Sequence, residues 1–327
     1  MALAIDVVVP THNGWAHTRD CLGHLRAQTA AHRVIVADDG SSDGTPERVA
    51  GDFPEVEVRA LGANRGFAAA CNAGARAGSG DVVVLLNNDV DVPPAFLEAL
   101  VAPLAGDRAL GSCAALLVRP GGRLIDSVGL AADPTLAGFP RHQGLPVAAA
   151  GRPTPALLGP SGGAAAYRRE AWEALGGLDE AIFLYQEDLD LALRLRAGGW
   201  GAAVAIDAAG VHHGSATTGR ASAFQRRHAG FSRGYLLRRY GVLGSRHGPR
   251  AVLTEALVTA GDIALSRDLA ALRGRLAGWR AAGNAGPLPT PREGVEPGIG
   301  LRESLRLRGV DVRLARAGPA LHLGSGS

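Results

Sequence analysis

The sequence predicts an α/β protein with a doubly wound, mostly parallel sheet, helices on both faces, and a helical, basic C-terminal region. Three observations predict this fold. Strand-like apolar runs alternate with segments of helical spacing over the first 120 residues. Polar clusters follow several of the predicted strands, and the arginines concentrate in the C-terminal third.

Strands and helices alternate in the first half of the chain. Apolar, often β-branched runs predict five strands, at residues 5–9, 34–37, 56–60, 82–86 and 110–118. Apolar residues at helical spacing predict helices at residues 15–28 and 66–77. Thr45 is expected to cap a short helix that starts at Pro46, and Pro93 opens another helix. Such sheets bind ligands at the carboxyl ends of their strands.

The second half is less regular. Residues 120–155 are rich in Gly, Pro and Ala, which predicts a loop excursion. The remaining predicted elements are helices at 170–175 and 187–197, a last strand at 200–206, and basic helices over 223–280. We therefore expect three parts: an α/β domain at 1–220, a helical region at 221–282, and a Gly/Pro-rich, partly disordered tail at 283–327.

The composition excludes several classes of protein. The 327 residues are 46% hydrophobic and 20% charged, so the chain buries a substantial core and is not disordered overall. The longest stretch without a charged residue, 153–167, is too short and too rich in Pro and Gly for a membrane span. The N-terminus lacks the basic start of a signal peptide. Cys21, Cys71 and Cys113 have neither metal-ligand nor disulfide-framework spacing, which predicts a cytoplasmic protein.

Charge is distributed unevenly along the chain. Residues 1–212 carry 16 arginines and 24 acidic residues, whereas residues 213–327 carry 18 arginines and 7 acidic residues. This asymmetry has three possible explanations. The basic region could contact an anionic membrane surface, it could form a homodimer interface, or its arginines could simply lie on solvent-exposed helix faces. Nucleic acid is not an expected partner, because the basic region has few aromatic residues and no recognisable nucleic-acid-binding module.

Polar residues stand at the ends of three predicted strands. They are Thr11, His12 and Asn13 after the first, Asp38 and Asp39 after the second, and Asn87, Asn88 and Asp89 after the fourth. Asp39 is suited to accept a hydrogen bond from a base or a ribose, or to bond within its own turn. Asp89 is suited to bind Mg²⁺ or Mn²⁺, with help from Asn87. Asp91 is suited to be a second metal ligand or to cap the following helix, and the cap is the expected role.

Three carboxylates, Glu187, Asp188 and Asp190, lie at the start of the predicted helix 187–197. Helix N-termini attract acidic residues, but three within four positions exceeds what capping requires. A carboxylate here is suited to act as a general base on an acceptor hydroxyl. His212, which follows the last predicted strand, is suited to bind a metal.

In their order along the chain, these segments resemble the family-2 glycosyltransferases, which have the GT-A fold. The resemblance covers roughly residues 4–240. The segments that carry it are residues 7–14, 34–45, 64–74, 85–90, 176–180, 187–191 and 212–215. Segments 64–74 and 85–90, with the Arg-Arg-Tyr at 238–240, look most like the bacterial rhamnosyltransferase-like branch.

The resemblance implies a role for each matching residue. The residues expected to bind the nucleotide and the donor sugar are Pro10, Thr11, Asn13, Asp39, Asn64, Gly66, Asn72 and Asn88. Asp89 and His212 are expected to hold Mg²⁺ or Mn²⁺, and Asp188 to be the catalytic base. The residues expected to support the base or contact the acceptor are Glu187, Asp190 and Gln186.

Two departures from the family pattern affect these expectations. The metal motif at 87–89 keeps a single acidic residue, Asp89, which puts metal affinity in question. Gln186 stands where relatives often carry an aromatic residue, which changes the surface on which an acceptor would stack.

The implied function is inverting glycosyl transfer from a nucleoside-diphosphate sugar, such as dTDP-rhamnose or a UDP-sugar. The acceptor would be a hydroxyl of a glycan, a lipid-linked sugar or a small molecule, as in cell-envelope polysaccharide synthesis. A single displacement needs one base, whereas glycosidases need two carboxylates beside the bond. One alternative is a nucleotidyltransferase, but this sequence lacks the Gly-rich signature loop of that class near its N-terminus. The other is a sugar-nucleotide-binding protein without catalysis, against which Asp89, Asp188 and His212 argue together.

Overall fold

The computed structural model describes residues 3–214, 222–291 and 293–316. Eleven strands lie in this described part of the chain. In order they are β1 (Ile5–Thr11), β2 (His32–Asp38), β3 (Glu57–Ala60), β4 (Val82–Leu86), β5 (Val90–Asp91), β6 (Leu110–Val118), β7 (Ile125–Ser127), β8 (Leu130–Ala132), β9 (Gly138–Pro140), β10 (Ala164–Arg168) and β11 (Gly201–His212).

Ten α-helices connect or follow these strands within the described ranges. They are α1 (Trp15–Arg26), α2 (Thr45–Asp52), α3 (Phe67–Ala77), α4 (Phe96–Gly106), α5 (Arg169–Ala174), α6 (Glu187–Ala197), α7 (Ala223–Arg239), α8 (Gly248–Ser266), α9 (Ala270–Ala281) and α10 (Leu301–Arg316). Among the described helices, none is both long and apolar enough to cross a lipid bilayer.

The main sheet has nine strands in the order β3-β2-β1-β4-β10-β6-β11-β5, with β7 paired to β6. β1 pairs in parallel with β2 and β4, β2 pairs in parallel with β3, and β6 pairs in parallel with β11. β10 runs antiparallel between β4 and β6. The carboxyl ends of β1, β2, β4, β6 and β11 therefore meet at one edge, where β10 begins.

Helices cover both faces of this sheet, as predicted. Along β1, Val7 and Val9 pack into one apolar cluster with α1 and α4, whereas Val8 packs into another with α3 and α5. This alternation follows from the two-residue period of a strand. Because both faces of β1 are buried, its sequence is a continuous apolar run.

The structure differs from the sequence predictions at several elements. β10 was not predicted, because three of its five residues are alanine, which has a low β-propensity. β11 continues beyond the predicted end at 206 to His212. The excursion at 120–155 contains the short strands β7, β8 and β9.

Two capping predictions were wrong. Gly44, not Thr45, is the N-cap of α2, and the Asp43 carboxylate accepts hydrogen bonds from the Thr45 backbone N–H at 3.0 Å and hydroxyl at 2.6 Å. Asp91 does not cap α4, which starts at Phe96; it lies in β5, and its carboxylate accepts from His213 Nε2 at 2.8 Å. Pairing of β5 with β11 brings Asp91 to His213 instead.

The C-terminal helices pack against the α/β sheet region. One apolar cluster joins Leu189 and Leu193 of α6 to Tyr235 and Leu236 of α7. The domain boundary at residue 220 stays a prediction. Side chains from the two sides of this boundary pack in one apolar cluster. Part of the predicted tail forms α10, which contacts α8, and residues 317–327 lie outside the described part.

Candidate active site

A cavity of about 610 Å³ opens at the carboxyl ends of β1, β2 and β4. Its polar wall consists of Thr11, His12, Asp39, Asn64, Asn87, Asn88, Asp89 and His212, together with the adjoining Pro10 and Gly66. Its apolar wall consists of Phe67, Ala70, Phe183, Leu184, Tyr185 and Phe224. A pocket that joins convergent polar groups to aromatic side chains is typical of a ligand-binding site.

Asp39 fixes the loop that leads into α3. Its carboxylate oxygens accept hydrogen bonds from the backbone N–H groups of Arg65 at 2.6 Å and Gly66 at 2.9 Å. Its backbone carbonyl lies 2.8 Å from His12 Nδ1. Each carboxylate oxygen has a second lone pair, so Asp39 retains acceptor capacity at the cavity wall.

Gly66 allows two segments of the wall to approach each other closely. Its φ is +95°, and a Cβ at this position would overlap the carbonyl and ring of Phe183. The backbone N–H of the next residue, Phe67, donates to the Phe183 carbonyl at 2.9 Å. A larger residue at position 66 would therefore separate the start of α3 from the aromatic wall.

Two of the expected nucleotide-binding residues do not line the cavity. Asn13 Oδ1 accepts from the Ser42 backbone N–H at 2.7 Å, so this side chain holds the turn after β2. Asn72 is buried, and its side-chain amide both donates to and accepts from the backbone of Leu178, at 2.8 and 2.9 Å. Asn88 lines the cavity and donates to Thr18 Oγ1 at 3.0 Å.

Asp89 and His212 face each other across the polar wall, with 3.4 Å between Asp89 Oδ1 and His212 Nε2. The other ring nitrogen, Nδ1, lies 2.7 Å from Asp126 Oδ2. Burial lowers the pKa of His212, but hydrogen bonds and charge from Asp126 and Asp89 outweigh it and raise this pKa to about 9. Burial raises the pKa of Asp89, but His212 outweighs it and holds this pKa below its usual value.

The donor set around Asp89 and His212 fits a divalent cation shared with a ligand. No group of three or more His, Cys, Asp or Glu side chains within the described ranges forms a ready metal cage. One carboxylate oxygen and one imidazole nitrogen face each other, and a second carboxylate, Asp126, orients the imidazole. Mg²⁺ and Mn²⁺ commonly take further ligands from substrate phosphates and water.

Asp188 lies at the start of α6, beside the cavity. Its Oδ2 accepts from the Gly162 backbone N–H at 2.8 Å. A methyl group on Gly162 would lie 3.6 Å from this oxygen and 3.7 Å from the ring of Phe67, which lines the cavity. Burial raises the pKa of Asp188, against the hydrogen bonds that its carboxylate accepts. The carboxylate is thus held close to Phe67, although Asp188 itself is not among the residues that line the cavity.

The three supporting candidates have different surroundings. Glu187 is buried, and burial together with the charge of Asp188 raises its pKa, which favours the neutral acid. Asp190 is fully buried and bonds Arg194 at 2.7 Å and the hydroxyl of Tyr240 at 2.9 Å, which joins α6 to the end of α7. Asp190 is thus placed to support the helix and not to contact an acceptor.

Gln186 and Tyr185 have left-handed backbone conformations, with φ of +66° and +68°. Residues with a side chain rarely adopt this conformation, so it indicates that the surrounding structure imposes it. Tyr185 lines the cavity, whereas Gln186 is the N-cap of α6. The turn therefore directs one aromatic residue to the site immediately before the carboxylates.

Sequence reasoning missed the aromatic and apolar residues of the cavity wall, and it also missed Asp126, which the fold brings to His212. Asp126 lies in β7, inside the excursion that was predicted as a loop, and no motif marks it. Phe224 comes from α7, and its ring lies 4.3 Å from His228 and 6.3 Å from Phe183. The only sequence signal for Phe224 was an aromatic residue in a basic helix. The last residue of the motif 212–215, Ser215, lies outside the described residues.

Comparison with known sequences identifies the family. The model for "Glycosyl transferase family 2" matches residues 6–176. The chain is 30% identical over 243 residues to N-acetylglucosaminyl-diphospho-decaprenol L-rhamnosyltransferase of Mycobacterium tuberculosis, covering 67% of this chain and 79% of that protein. It is 32% identical over 108 residues to validoxylamine A glucosyltransferase of Streptomyces hygroscopicus subsp. jinggangensis, covering 31% of this chain and 26% of that protein.

Comparison with solved structures supports the fold. Mannosyltransferase PcManGT from Pyrobaculum calidifontis, in complex with GDP-Man and Mn²⁺, aligns with a TM-score of 0.52 at 19% identity and covers 98% of this chain and 77% of its own. GalNAc-T7 with UDP, GalNAc and Mn²⁺ aligns with a TM-score of 0.59 at 16% identity, covering 87% and 55%. The matching family model, the rhamnosyltransferase relative and this shared fold agree: the chain belongs to glycosyl transferase family 2 and is a GT-A glycosyltransferase of the rhamnosyltransferase-like kind.

Proposed function

We propose that this glycosyltransferase is inverting and depends on a divalent metal, and that it moves rhamnose from dTDP-rhamnose to a lipid-linked sugar. One observation carries the proposal: Asp39 and the Asp89–His212 pair line one cavity, and the Asp188 carboxylate is held by Gly162 close to the cavity-lining ring of Phe67. The name of the M. tuberculosis relative supports rhamnose as the donor sugar and a sugar on a polyprenyl diphosphate as the acceptor. A UDP-sugar donor is the alternative.

Binding of the donor follows from the polar wall. Asp39 offers carboxylate lone pairs to the base or ribose, and Thr11, Asn64 and Asn88 offer hydroxyl and amide groups along the same wall. Asp89 and His212 would hold Mg²⁺ or Mn²⁺, which supplies positive charge beside the diphosphate as it leaves. In this proposal the nucleotide lies at the strand ends, with the sugar toward α6.

Transfer of the sugar follows from the position of Asp188. The carboxylate takes the proton of the acceptor hydroxyl as the hydroxyl oxygen forms a bond to C1 of the sugar. The bond between C1 and the diphosphate oxygen breaks, and its electron pair leaves on the diphosphate. Because attack and departure are on opposite faces, the anomeric centre inverts. The hydrogen bond from Gly162 fixes the carboxylate, and its burial makes it the stronger base.

The reaction is tested with dTDP-rhamnose, UDP-glucose and UDP-N-acetylglucosamine as donors. The acceptor is a short-chain polyprenyl diphosphate carrying N-acetylglucosamine. We expect transfer from dTDP-rhamnose, loss of transfer in EDTA, and an anomeric configuration in the product opposite to that of the donor, measured by NMR. Retention of configuration would contradict the single displacement.

We also propose that the C-terminal region contacts an anionic membrane surface through α8 and α9. Leu253 and Leu257 on α8 and Leu276 on α9 are each 48% exposed. Arg273 and Arg280 lie three residues before and four residues after Leu276 and are also exposed, so apolar and basic side chains share one face of α9. This combination is typical of helices that lie on anionic lipid, and it suits a lipid-linked acceptor.

Membrane contact is tested by sedimentation with vesicles of phosphatidylcholine, with and without phosphatidylglycerol. We expect the protein to sediment only with the anionic vesicles, and the L253S/L257S/R273Q variant to stay in solution. Ile206→Ser, at an exposed residue of β11, is the matched control and should still sediment. If the protein sediments with neither kind of vesicle and elutes as a dimer in gel filtration, the exposed face of α8 and α9 joins two copies of the chain. That result would overturn the membrane proposal.

A further inference from the structure

Asp126 is brought to the site by the pairing of three strands. β7 pairs antiparallel with the end of β6, where Val118 is opposite Ile125. β11 pairs in parallel with the same end of β6, where Val118 is opposite Val211. Asp126 and His212 each follow one of these paired residues in the chain. Asp126 Oδ2 accepts a hydrogen bond from His212 Nδ1 at 2.7 Å.

This hydrogen bond determines which nitrogen of His212 faces the cavity. The Nδ1–H is directed at Asp126, so Nε2 is the nitrogen that lies 3.4 Å from Asp89 Oδ1. In metal sites, a ligating histidine usually donates its second N–H to a carboxylate, which fixes the ring orientation. The arrangement Asp126–His212–Asp89 has the order of such a site.

We infer that Asp126 is a positioning residue that holds the His212 ring so that Nε2 and the Asp89 carboxylate can bind one divalent cation together. The inference rests on the metal dependence in the proposed function. Asp126 also supplies a second carboxylate near the metal motif. The motif itself has only one acidic residue, Asp89, because Asn87 and Asn88 are neutral. A second negative charge just behind the imidazole favours a cation at this wall.

If Asp126 had a purely structural role, this role would come from the ion pair that its other carboxylate oxygen, Oδ1, makes with Arg119. Oδ1 lies 3.7 Å from Nε of Arg119, and both side chains are about three-quarters buried. This ion pair is longer than the hydrogen bond from Asp126 to His212. Arg119 therefore offers a matched control: Arg119→Gln removes this contact and leaves the Asp126–His212 hydrogen bond intact.

The test measures binding of Mn²⁺ itself, by the loss of the electron paramagnetic resonance signal of free Mn²⁺, with and without dTDP. We expect Asp126→Ala to bind Mn²⁺ about 10- to 100-fold more weakly than the wild type. Asp126→Asn, which keeps an acceptor but loses the charge, should lie between them. Arg119→Gln should bind as the wild type does. Near-ultraviolet circular dichroism checks that each variant is folded.

A double-mutant cycle separates positioning from a general loss of structure. If Asp126 acts through His212, Asp126→Ala has no further effect on Mn²⁺ affinity in the His212→Ala background. In transfer assays, Asp126→Ala should raise the KM for Mn²⁺ and recover kcat at saturating Mn²⁺. The inference would be overturned if Asp126→Ala lowered Mn²⁺ affinity equally in the wild-type and His212→Ala backgrounds, or if it did not lower this affinity at all. Either result would leave the proposed function standing. Absence of Mn²⁺ binding by the wild-type protein would overturn the metal dependence of the proposed function as well.

Discussion

Two regions of this molecule bury carboxylates in opposite ways. In the C-terminal helices, Glu255 is surrounded by three arginines. They are Arg233 at 2.7 Å, Arg275 at 3.1 Å and Arg308 at 2.7 Å. Burial raises the pKa of Glu255, but these charges outweigh it and hold the pKa far below its usual value. At the start of α6, Glu187 and Asp188 form no ion pair within the described residues, and burial raises the pKa of both.

The difference separates a structural carboxylate from one that is suited to move a proton. Glu255 joins α8 to α7, α9 and α10, and its charge is fully compensated. Asp188 has a raised pKa, a fixed position and a cavity beside it, which is the environment of a general base. Burial of a charge alone is therefore not evidence for function; burial without a charged partner, next to a cavity, is.

The largest expected effect comes from Asp188→Asn. An amide cannot take the proton of the acceptor, so kcat for transfer should fall about 10³-fold, while donor binding is kept. Glu187→Gln is the matched control, because it makes the same acid-to-amide change at the neighbouring residue, whose raised pKa favours the neutral acid that an amide resembles. Steady-state kinetics and calorimetric titration with dTDP measure the two quantities. Normal transfer by Asp188→Asn would remove its role as the base.

Glu255→Gln should have the next largest effect, on stability and not on chemistry. It leaves the buried guanidinium of Arg233 without its carboxylate, which costs about 3–5 kcal/mol of unfolding free energy. Urea denaturation measures this loss. Glu303→Gln, which breaks an exposed ion pair with Arg306, is the control and should change stability little. Equal effects of the two variants would mean that the buried cluster is not structural.

The pH dependence of stability should reveal Glu187. Its pKa in the folded state, about 8, lies above the 4.5 of an ordinary glutamate. Such a group stabilises the fold below about pH 4.5, and this contribution is lost as the pH rises through about 8. Melting temperatures from pH 5 to 9 should therefore decline less in Glu187→Gln than in the wild type. Parallel curves would show that Glu187 is ionised in the folded protein at neutral pH.

The smallest expected effect is that of Phe224, through which the C-terminal helices reach the cavity. Aromatic contacts of this kind contribute about 1 kcal/mol, so Phe224→Ala should raise the KM for the acceptor roughly fivefold with little change in donor affinity. Leu265→Ala, an exposed residue of α8 outside the cavity wall, is the control. An unchanged acceptor KM would exclude this ring from the acceptor site.

The strand-end positions were predictable from the sequence because parallel strands bring successive motifs to one edge. Asp39 and Asp89 line the cavity for this reason. Asn13 and Asn72 match motifs equally well, yet their amides bond neighbouring loops, which no linear pattern distinguishes. Contacts between segments that are distant in the sequence could not be predicted from local sequence patterns. Asp126 depends on a three-residue strand pairing with β6.

The most direct test of the central account is the thermal stability of the protein with dTDP, UDP or GDP, each with Mn²⁺ or with EDTA. A ligand that binds only the folded state raises the melting temperature. We predict that one diphosphate, dTDP, raises it in the presence of Mn²⁺ and much less in EDTA, and that Asp89→Ala abolishes the metal-dependent part. Equal shifts in Mn²⁺ and EDTA, or no shift with any diphosphate, would contradict a metal-assisted nucleotide-sugar site in this cavity.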